Sequence, residues 1–228
     1  MSIRFQNVQA SESDFAYQLR SAPVCDNLGM SRGVPIDRYY IDAFLSRYAA
    51  DIRGHVLEIG DSGYTRRFGG RHVDRLDILD IDSRNQAATI VADLSDAPHV
   101  PSNAFDCIIL TQVLIYITDL QAVIKTLIRI LKPGGVVLST QPGISPVMDT
   151  LELNSLCWSI YARSARWLFS DPQINRRNLI IESYGNLRTA TGFLWGLAQE
   201  DLTDADFQID DARYPLITAV RASKLGST

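Results

Sequence analysis

The sequence has few cysteines and no long apolar run, and each of these absences removes a class of protein. Its three cysteines, Cys25, Cys107 and Cys157, are odd in number and widely spaced, unlike a zinc motif or a disulfide framework. We therefore expect free thiols, a cytoplasmic location and no bound metal. The longest apolar stretch, CIILTQVLIYI, is interrupted and too short to cross a bilayer, and the first residues lack a signal-peptide core. No membrane association is expected.

The sequence also lacks a strong excess of charge of either sign. It has 22 basic and 26 acidic residues, mixed along the chain, for a net charge of −4. Nucleic-acid-binding proteins usually carry a clustered basic surface, so DNA and RNA are not expected partners. The 228 residues are 46% hydrophobic, which suffices for the core of one domain.

A full G-x-G-x-x-G fingerprint is missing as well, although part of one is present. The stretch HVLEIGDSGY, residues 55–64, is an apolar run that ends in Glu58 and Gly60. Ser62 and Tyr64 stand at the alternate positions where further glycines would be needed to grip a pyrophosphate. The run predicts a buried strand whose glycine turn lets the backbone approach a ligand. A strand followed by an ordinary turn is the alternative interpretation.

Apolar runs and helical patterns alternate along the rest of the chain, as in successive βα units. A helix is predicted over 119–131, with Thr118 and Gln121 forming a capping box, and Lys132 to Gly135 ending it. Another helix is expected at 36–50 and one through residues 193–197. Strands are expected within 73–81 and at 89–94, 105–112, 136–140, 179–184 and 215–221. The pattern predicts an α/β fold with a largely parallel sheet.

The order of these motifs resembles a class I S-adenosylmethionine-dependent methyltransferase, most closely over residues 35–143. The motifs are Glu58-x-Gly60, acids after the second strand, Ala92-Asp93-Leu94, Phe105-Asp106 and Lys132-Pro133-Gly134-Gly135. The resemblance implies a Rossmann-like, mostly parallel seven-stranded sheet with an antiparallel terminal strand and helices on both faces. It implies one domain over 1–228, with an N-terminal helical cap (1–50) and a cofactor-binding core (51–143). An aromatic insertion covering the active site (144–177) and terminal strands with a helix (178–228) would complete it.

The resemblance also implies cofactor contacts. Glu58 and Gly60 would border the methionine portion, above the turn from Asp61 to Tyr64. An acid at the end of the second strand would hold the ribose, because a carboxylate makes two charge-assisted hydrogen bonds to a diol. Among Asp77, Asp80 and Asp82, Asp77 is preferred. The remaining predicted contacts are Asp93 and Leu94 at the adenine, and Thr111 and Gln112 after the fourth strand.

The segment SRGVPIDRYY, residues 31–40, offers further groups to a cofactor or substrate. Arg38 or Arg32 would pair with the cofactor carboxylate, since an arginine fork binds carboxylates bidentately. Tyr39 would then approach the cofactor and Tyr40 the substrate. The alternative is a helix begun by Pro35, with core tyrosines and solvent-exposed arginines.

Trp158 and Tyr161, within the aromatic insertion, are predicted to contact the substrate, although their helical spacing also suits a core. Where similar small bacterial methyltransferases often read Trp-Arg-Phe-Thr, this chain reads Trp-Ser-Ile-Tyr over residues 158–161. The sequence offers one candidate for a general base, His99.

The predicted activity is methyl transfer from S-adenosylmethionine to an oxygen or nitrogen of a small-molecule acceptor, such as a sugar or secondary metabolite. S-adenosylhomocysteine would be the product. The sulfonium methyl group is already electrophilic, so alignment of the acceptor is the protein's main task. Two alternatives stay open: a non-catalytic cofactor-binding or interaction protein of the same fold, and a nicotinamide-dependent oxidoreductase. A homo-oligomer is also allowed.

Overall fold

The computed structural model describes residues 21–147 and 156–226. In chain order its strands are β1 Gly54–Ile59, β2 Val73–Asp80, β3 Ile90–Val91, β4 Phe105–Thr111, β5 Leu131–Pro142, β6 Ile180–Tyr184 and β7 Ile217–Ser223. Its α-helices are α1 Ile36–Arg47, α2 Leu120–Ile130, α3 Ala162–Leu168 and α4 Leu187–Leu194.

The seven strands form one sheet in the order β3-β2-β1-β4-β5-β7-β6. The pairs from β3 to β5 are parallel, whereas β7 runs antiparallel to both β5 and β6. Helices cover both faces of the sheet. The predicted mostly parallel seven-stranded sheet with an antiparallel terminal strand is therefore confirmed.

Each face of the sheet has its own apolar core, because successive side chains of a strand point to opposite faces. Val56 of β1 packs on the face covered by α1, with Tyr40 and Phe44. Leu57, the next residue, packs on the other face with Val123 of α2. Strands buried on both faces need near-continuous apolar runs, which is why the sequence predicts these strands directly.

Helix α2 forms where the apolar spacing predicts it, but its cap differs from the prediction. Asp119 is the N-cap residue, and its side chain accepts a hydrogen bond from the Ala122 backbone N–H at 3.0 Å. The predicted capping box of Thr118 and Gln121 is thus wrong by one residue. Asp is as good an N-cap as Thr, so the pattern alone did not separate the neighbours.

The connection between β1 and β2 is short. A π-helical turn, Thr65–Gly69, and a 3-10 turn, Gly70–His72, stand where a longer helix would usually lie. Strand β3 is shorter than predicted, with two residues instead of six. No helix in the described part of the chain is long and apolar enough to cross a membrane.

Candidate functional site

Two cavities lie side by side at the carboxyl ends of the parallel strands, the edge where open α/β sheets bind ligands. The first, of about 390 Å³, is lined by residues that follow β1, β2, β3 and β4. The second, of about 240 Å³, lies between the start of α1, the end of β4 and the β5–β7 pair. Tyr116, in the turn after β4, lines both cavities.

Glu58 shapes the turn that follows β1. Its side chain is 2% exposed, and its two carboxylate oxygens accept hydrogen bonds from the backbone N–H groups of Tyr64 (3.0 Å) and Thr65 (2.7 Å). Burial raises the pKa of Glu58, while these two bonds lower it. Both oxygens thus hold protein backbone, so Glu58 acts on a ligand by fixing the shape of this turn.

Asp80 is the acid at the end of β2 that lines the first cavity. Its Oδ1 accepts from the Asp82 backbone N–H at 2.9 Å, and its Oδ2 accepts from the Asn85 amide at 2.6 Å. The same amide donates to the Gly60 carbonyl at 2.7 Å, which ties the ends of β1 and β2 together. Each carboxylate oxygen has a second lone pair with which it can accept a hydrogen bond from a ligand hydroxyl.

Gly60 lies at this edge with a φ of 87°, a conformation that residues with a side chain rarely adopt. A Cβ placed on Gly60 would meet no protein atom within 4 Å. Space is therefore open at the backbone, as a closely approaching ligand needs.

The first cavity is largely apolar. Leu94 is buried in its wall, whereas Ile81 is 70% exposed and Tyr116 48% exposed. Asp93 is exposed at the rim, and its Oδ1 accepts hydrogen bonds from Ser95. Exposed apolar side chains grouped around a concave surface are typical of a ligand site, because a flat aromatic ligand would cover them.

The second cavity has a polar end formed by Asp37 and Gln112. Asp37 is 6% exposed, and the Gln112 amide donates to its Oδ2 at 3.4 Å. No described residue donates a hydrogen bond of ordinary geometry to Asp37 Oδ1 or to Gln112 Oε1, and both atoms are buried. Burial raises the pKa of Asp37. The charge of Arg38 and the hydrogen bonds from Gln112 and nearby backbone N–H groups lower it, but burial has the larger effect.

Arg38, which also lines the second cavity, donates from Nη1 to the Tyr64 hydroxyl at 3.0 Å. This bond joins α1 to the turn after β1. Arg32, the other arginine considered, instead makes two bonds to Asp201, at 2.8 and 2.6 Å. The structure therefore leaves Arg38 as the arginine at the candidate site.

The structure favours Asp80 over Asp77, the acid preferred from the sequence. Asp77 pairs with Leu57 in mid-sheet, three residues before the end of β2, and does not line either cavity. Its carboxylate lies 2.6 Å from His55 Nε2 and 3.0 Å from the Arg75 guanidinium, and it accepts from the Thr89 hydroxyl at 2.8 Å. Asp82 pairs with Arg84 in the following loop, which leaves Asp80 as the acid at the cavity.

The two tyrosines of α1 also lie away from both cavities, contrary to the prediction. Tyr40 is buried in the core and donates to the Thr189 hydroxyl at 3.1 Å, and Tyr39 packs against Phe207 with ring centroids 4.2 Å apart. The alternative interpretation of this helix, with core tyrosines, is the one that fits.

Trp158, Tyr161 and His99 do not line either cavity. Trp158 donates to the Ile117 carbonyl at 2.8 Å and borders a separate apolar depression with Trp167. Tyr161 is exposed just before α3. His99 is exposed, and its Nε2 lies 3.1 Å from the Val91 carbonyl oxygen, beside the edge strand β3.

Asp61 and Thr111 lie next to the site without lining its cavities. Asp61 accepts a hydrogen bond from the Gly63 backbone N–H at 2.7 Å, within the turn after β1. Thr111 ends β4, and Gln112 follows it with a positive φ of 57°. That conformation turns Gln112 toward the second cavity.

Sequence reasoning missed Asp37, Ile81 and Tyr116. An acid in the first turn of a helix is usually exposed and stabilises the helix dipole. The sequence pattern therefore gave no sign that Asp37 is buried. Ile81 directly follows a buried strand, so the sequence pattern suggests that it is the last core residue of that strand. Tyr116 could have been found as an aromatic residue soon after the fourth strand, at the edge where ligands bind.

A larger cavity, of about 780 Å³, lies at the opposite edge of the sheet, around Gly54, Asp106 and Gly134. It is a polar surface at the amino ends of the strands, where open α/β sheets do not place their ligands. Two of its carboxylates are held in ion pairs, Asp106 with Lys132 at 2.6 Å and Asp51 with Arg221 at 2.7 Å. We therefore assign the site to the carboxyl edge. No group of three His, Cys, Asp or Glu residues within the described ranges is placed to hold a metal ion.

Comparison with known proteins agrees with this geometry. Residues 59–139 match the family model described as a methyltransferase domain. No curated protein matches the chain in sequence. A methyltransferase from Mesorhizobium loti, described as dependent on S-adenosylmethionine, has a similar structure, with a TM-score of 0.57 and 16% identity. The similarity covers 82% of this chain and 97% of that one.

Two further solved structures share the fold. A SAM-dependent methyltransferase from Archaeoglobus fulgidus has a TM-score of 0.54 and 13% identity, over 82% of this chain and 94% of that one. The [4+2]-cyclase SpnF has a TM-score of 0.55 and 15% identity, over 83% and 81%. Residues 59–139 thus match a methyltransferase domain, and the chain shares the class I fold of S-adenosylmethionine-dependent methyltransferases.

Proposed function

We propose that this protein binds S-adenosylmethionine in the first cavity and directs its methyl group to an oxygen or nitrogen of a small acceptor in the second cavity. The observation that carries the proposal is the arrangement of Gly60, Asp80 and Asp93 around one apolar cavity at the carboxyl edge. When bound, the cofactor supplies a methyl group on a positively charged sulfur.

The residues of the first cavity suit a nucleoside. Asp80 would accept hydrogen bonds from the ribose hydroxyls, since its carboxylate is held by Asn85 and by the Asp82 backbone. Leu94 and Ile81 would cover the adenine ring, with Asp93 accepting from its amino group. The ring would remove Ile81 from water, which offsets the cost of exposing that side chain in the empty protein.

The methionine portion would extend from Gly60, in the first cavity, to Arg38, which lines the second. Open space at Gly60 lets the chain approach closely, and the Arg38 guanidinium suits a carboxylate. S-adenosylmethionine has no pyrophosphate, so its binding agrees with the incomplete glycine fingerprint. A nicotinamide dinucleotide does contain a pyrophosphate and is therefore disfavoured.

The protein's own part in the reaction is to align the acceptor and to exclude water. The second cavity adjoins the first at Tyr116, and apolar side chains such as Phe193, Leu216 and Ile217 line it. Holding two reactants in line can supply several kcal/mol of rate enhancement, about 7–11 in the best cases. The cyclase with the same fold shows that fold alone does not specify the reaction, so activity has to be measured.

Calorimetric titration with S-adenosylmethionine, S-adenosylhomocysteine and NAD tests this proposal. We expect both sulfur nucleosides to bind at one site per chain and NAD not to bind. Binding of neither sulfur nucleoside would overturn the proposal. Binding without methyl transfer to any member of a panel of amines, alcohols, phenols and sugars would favour the non-catalytic alternative.

A further inference from the structure

The second cavity contains two buried oxygen atoms that lack hydrogen-bond donors. These atoms are Asp37 Oδ1 and Gln112 Oε1, to which no described residue donates a hydrogen bond of ordinary geometry. A buried acceptor left without a donor costs about 1–3 kcal/mol. Both residues line the cavity, so a molecule that enters it can supply the missing donors once a small side-chain shift opens the oxygens to it.

The orientation of the Gln112 amide follows from its neighbour. Its nitrogen donates to Asp37 Oδ2, so its oxygen is left as an acceptor. The reverse orientation would bring the amide oxygen against a carboxylate oxygen, with no proton between them. The backbone also fixes Gln112, because its N–H donates to the Thr140 carbonyl at 2.7 Å from a left-handed conformation.

The rest of the cavity is mainly apolar. Leu28, Met30, Phe193, Leu216 and Ile217 are among its lining residues. The Arg38 guanidinium is the cationic group in the lining, and it bonds to Tyr64. The cavity thus combines an apolar body with a polar end whose two unpartnered atoms are both hydrogen-bond acceptors.

We propose that the acceptor is a primary amine on an apolar group, held by N–H bonds to Asp37 and Gln112. An alcohol has one O–H donor and would leave one of the two oxygens unpaired. A primary amine that has given its extra proton to water before it enters has two N–H donors, one for each oxygen, and keeps its lone pair for the methyl group. This inference rests on the proposed function and narrows it to nitrogen.

Asp37 also gives the reaction a destination for a proton. When the amine nitrogen forms its new bond to carbon, the electron pair of the broken carbon–sulfur bond remains on sulfur. The nitrogen becomes cationic, and one of its protons passes to Asp37 Oδ1, which converts the carboxylate into a carboxylic acid. Burial raises the pKa of Asp37, so that its carboxylate accepts this proton more readily than an exposed one would.

Binding of simple probes tests the inference without turnover. Benzylamine and benzyl alcohol are titrated into protein saturated with S-adenosylhomocysteine, and their affinities are measured by ligand-observed NMR. We expect benzylamine to bind at least about tenfold more tightly than benzyl alcohol, because it satisfies one more buried acceptor. Asp37→Asn should remove that preference while leaving the affinity for S-adenosylhomocysteine unchanged.

Two further variants complete the experiment. Asp42→Asn, on the same helix, is the matched control, since Asp42 pairs with Arg67 and does not line the cavity. It should leave the amine preference intact. Gln112→Met keeps the side-chain length but removes the amide, and it should weaken benzylamine binding even if Asp37→Asn does not fold.

Three results would overturn the inference. The first is that benzylamine fails to bind the saturated protein, and the second is that benzyl alcohol binds equally well. Alternatively, Asp37→Asn could weaken S-adenosylhomocysteine as much as it weakens the amine, which would place Asp37 at the cofactor. Failure of S-adenosylhomocysteine itself to bind would overturn the proposed function instead, so the two failures are distinguishable.

Discussion

At the residue scale, Asp80 and Asp77 show how two acids of one strand take different roles. Asp80 ends β2 beside the first cavity, and its partners are a loop amide and a backbone N–H. Asp77 lies three residues earlier, where His55, Thr89 and Arg75 surround its carboxylate. The first arrangement suits a ligand, and the second joins β2 to its neighbours.

Asp80→Asn should weaken binding of S-adenosylhomocysteine by about 1–3 kcal/mol, because one charged acceptor for the ribose hydroxyls is lost. Isothermal titration calorimetry measures this change. Asp82→Asn is the control, since Asp82 is a loop carboxylate paired with Arg84, and it should leave the affinity unchanged. Equal losses in both variants would show that Asp80 has no specific role.

Asp77→Asn should reduce stability and not cofactor affinity. Burial raises the pKa of Asp77, but the bonds from His55 and Thr89 and the charge of Arg75 outweigh it, so the pKa is lowered overall. A carboxyl with a lowered folded-state pKa stabilises the protein above its unfolded value of about 3.9 and loses this effect as pH falls through the folded pKa.

Urea unfolding of the wild type and Asp77→Asn measures this effect. At pH 7 we expect the variant to be less stable by about 1.5–3 kcal/mol, the range for a hydrogen bond to a charged group. The difference should shrink as the pH is lowered below about 4. A difference that is independent of pH would contradict the assigned role.

At the element scale, the turn after β1 is the segment whose shape the candidate site depends on most. Glu58 holds the Tyr64 and Thr65 backbone, Asn85 holds Gly60, and Arg38 holds Tyr64. The turn is thereby tied to its own strand, to the loop after β2 and to α1. A preformed backbone loses little freedom when a ligand binds, which favours affinity.

In Gly60→Ala, the loss of binding free energy for S-adenosylhomocysteine should be larger than the loss of unfolding free energy. The backbone conformation costs alanine about 1–2 kcal/mol, and the added methyl group enters open space at the ligand site. Gly134→Ala is a matched control, because Gly134 also has a positive φ, of 79°, and open space, but lies at the amino edge of the sheet.

Calorimetry and urea unfolding together separate the two effects. The Gly134 variant should show a similar loss of stability with full affinity for the nucleoside. If Gly60→Ala binds S-adenosylhomocysteine as the wild type does, then the cofactor does not approach this turn.

The helices and strands could be predicted from the sequence more completely than the residues of the site. Buried strands such as β1 and β4 and the apolar spacing of α2 each leave a direct pattern in the sequence, because burial selects the residues at fixed intervals. Asp77 was preferred over Asp80 because the turns Thr65–Gly69 and Gly70–His72 replace a longer helix, so the position of each acid along β2 could not be counted from the sequence.

The N-terminal part of the site was predicted least well. Tyr39 and Tyr40 were expected at the ligand, whereas Asp37 and Arg38 of the same helix line the second cavity. Neighbouring residues of a helix point about 100° apart, so which pair faces a cavity depends on how the helix is rotated. Tertiary packing on the sheet decides that rotation, and a single sequence does not display it.

At the scale of the whole molecule, topology brings the site together. Gly60, Asp80, Asp93 and Gln112 lie at or just after the ends of four different strands, and the parallel arrangement of β1 to β4 places all four at one edge. The antiparallel β7 and helix α4 add the apolar wall of the second cavity. One sheet thus offers a nucleoside site and an acceptor site that meet at Tyr116.

A crystal structure of the protein with S-adenosylhomocysteine tests this account most directly. We predict the ribose hydroxyls within hydrogen-bond distance of Asp80, the adenine against Leu94 and Ile81, and the amino acid portion between Gly60 and Arg38. A nucleoside bound at Asp77, or in the cavity at the amino edge of the sheet, would contradict it.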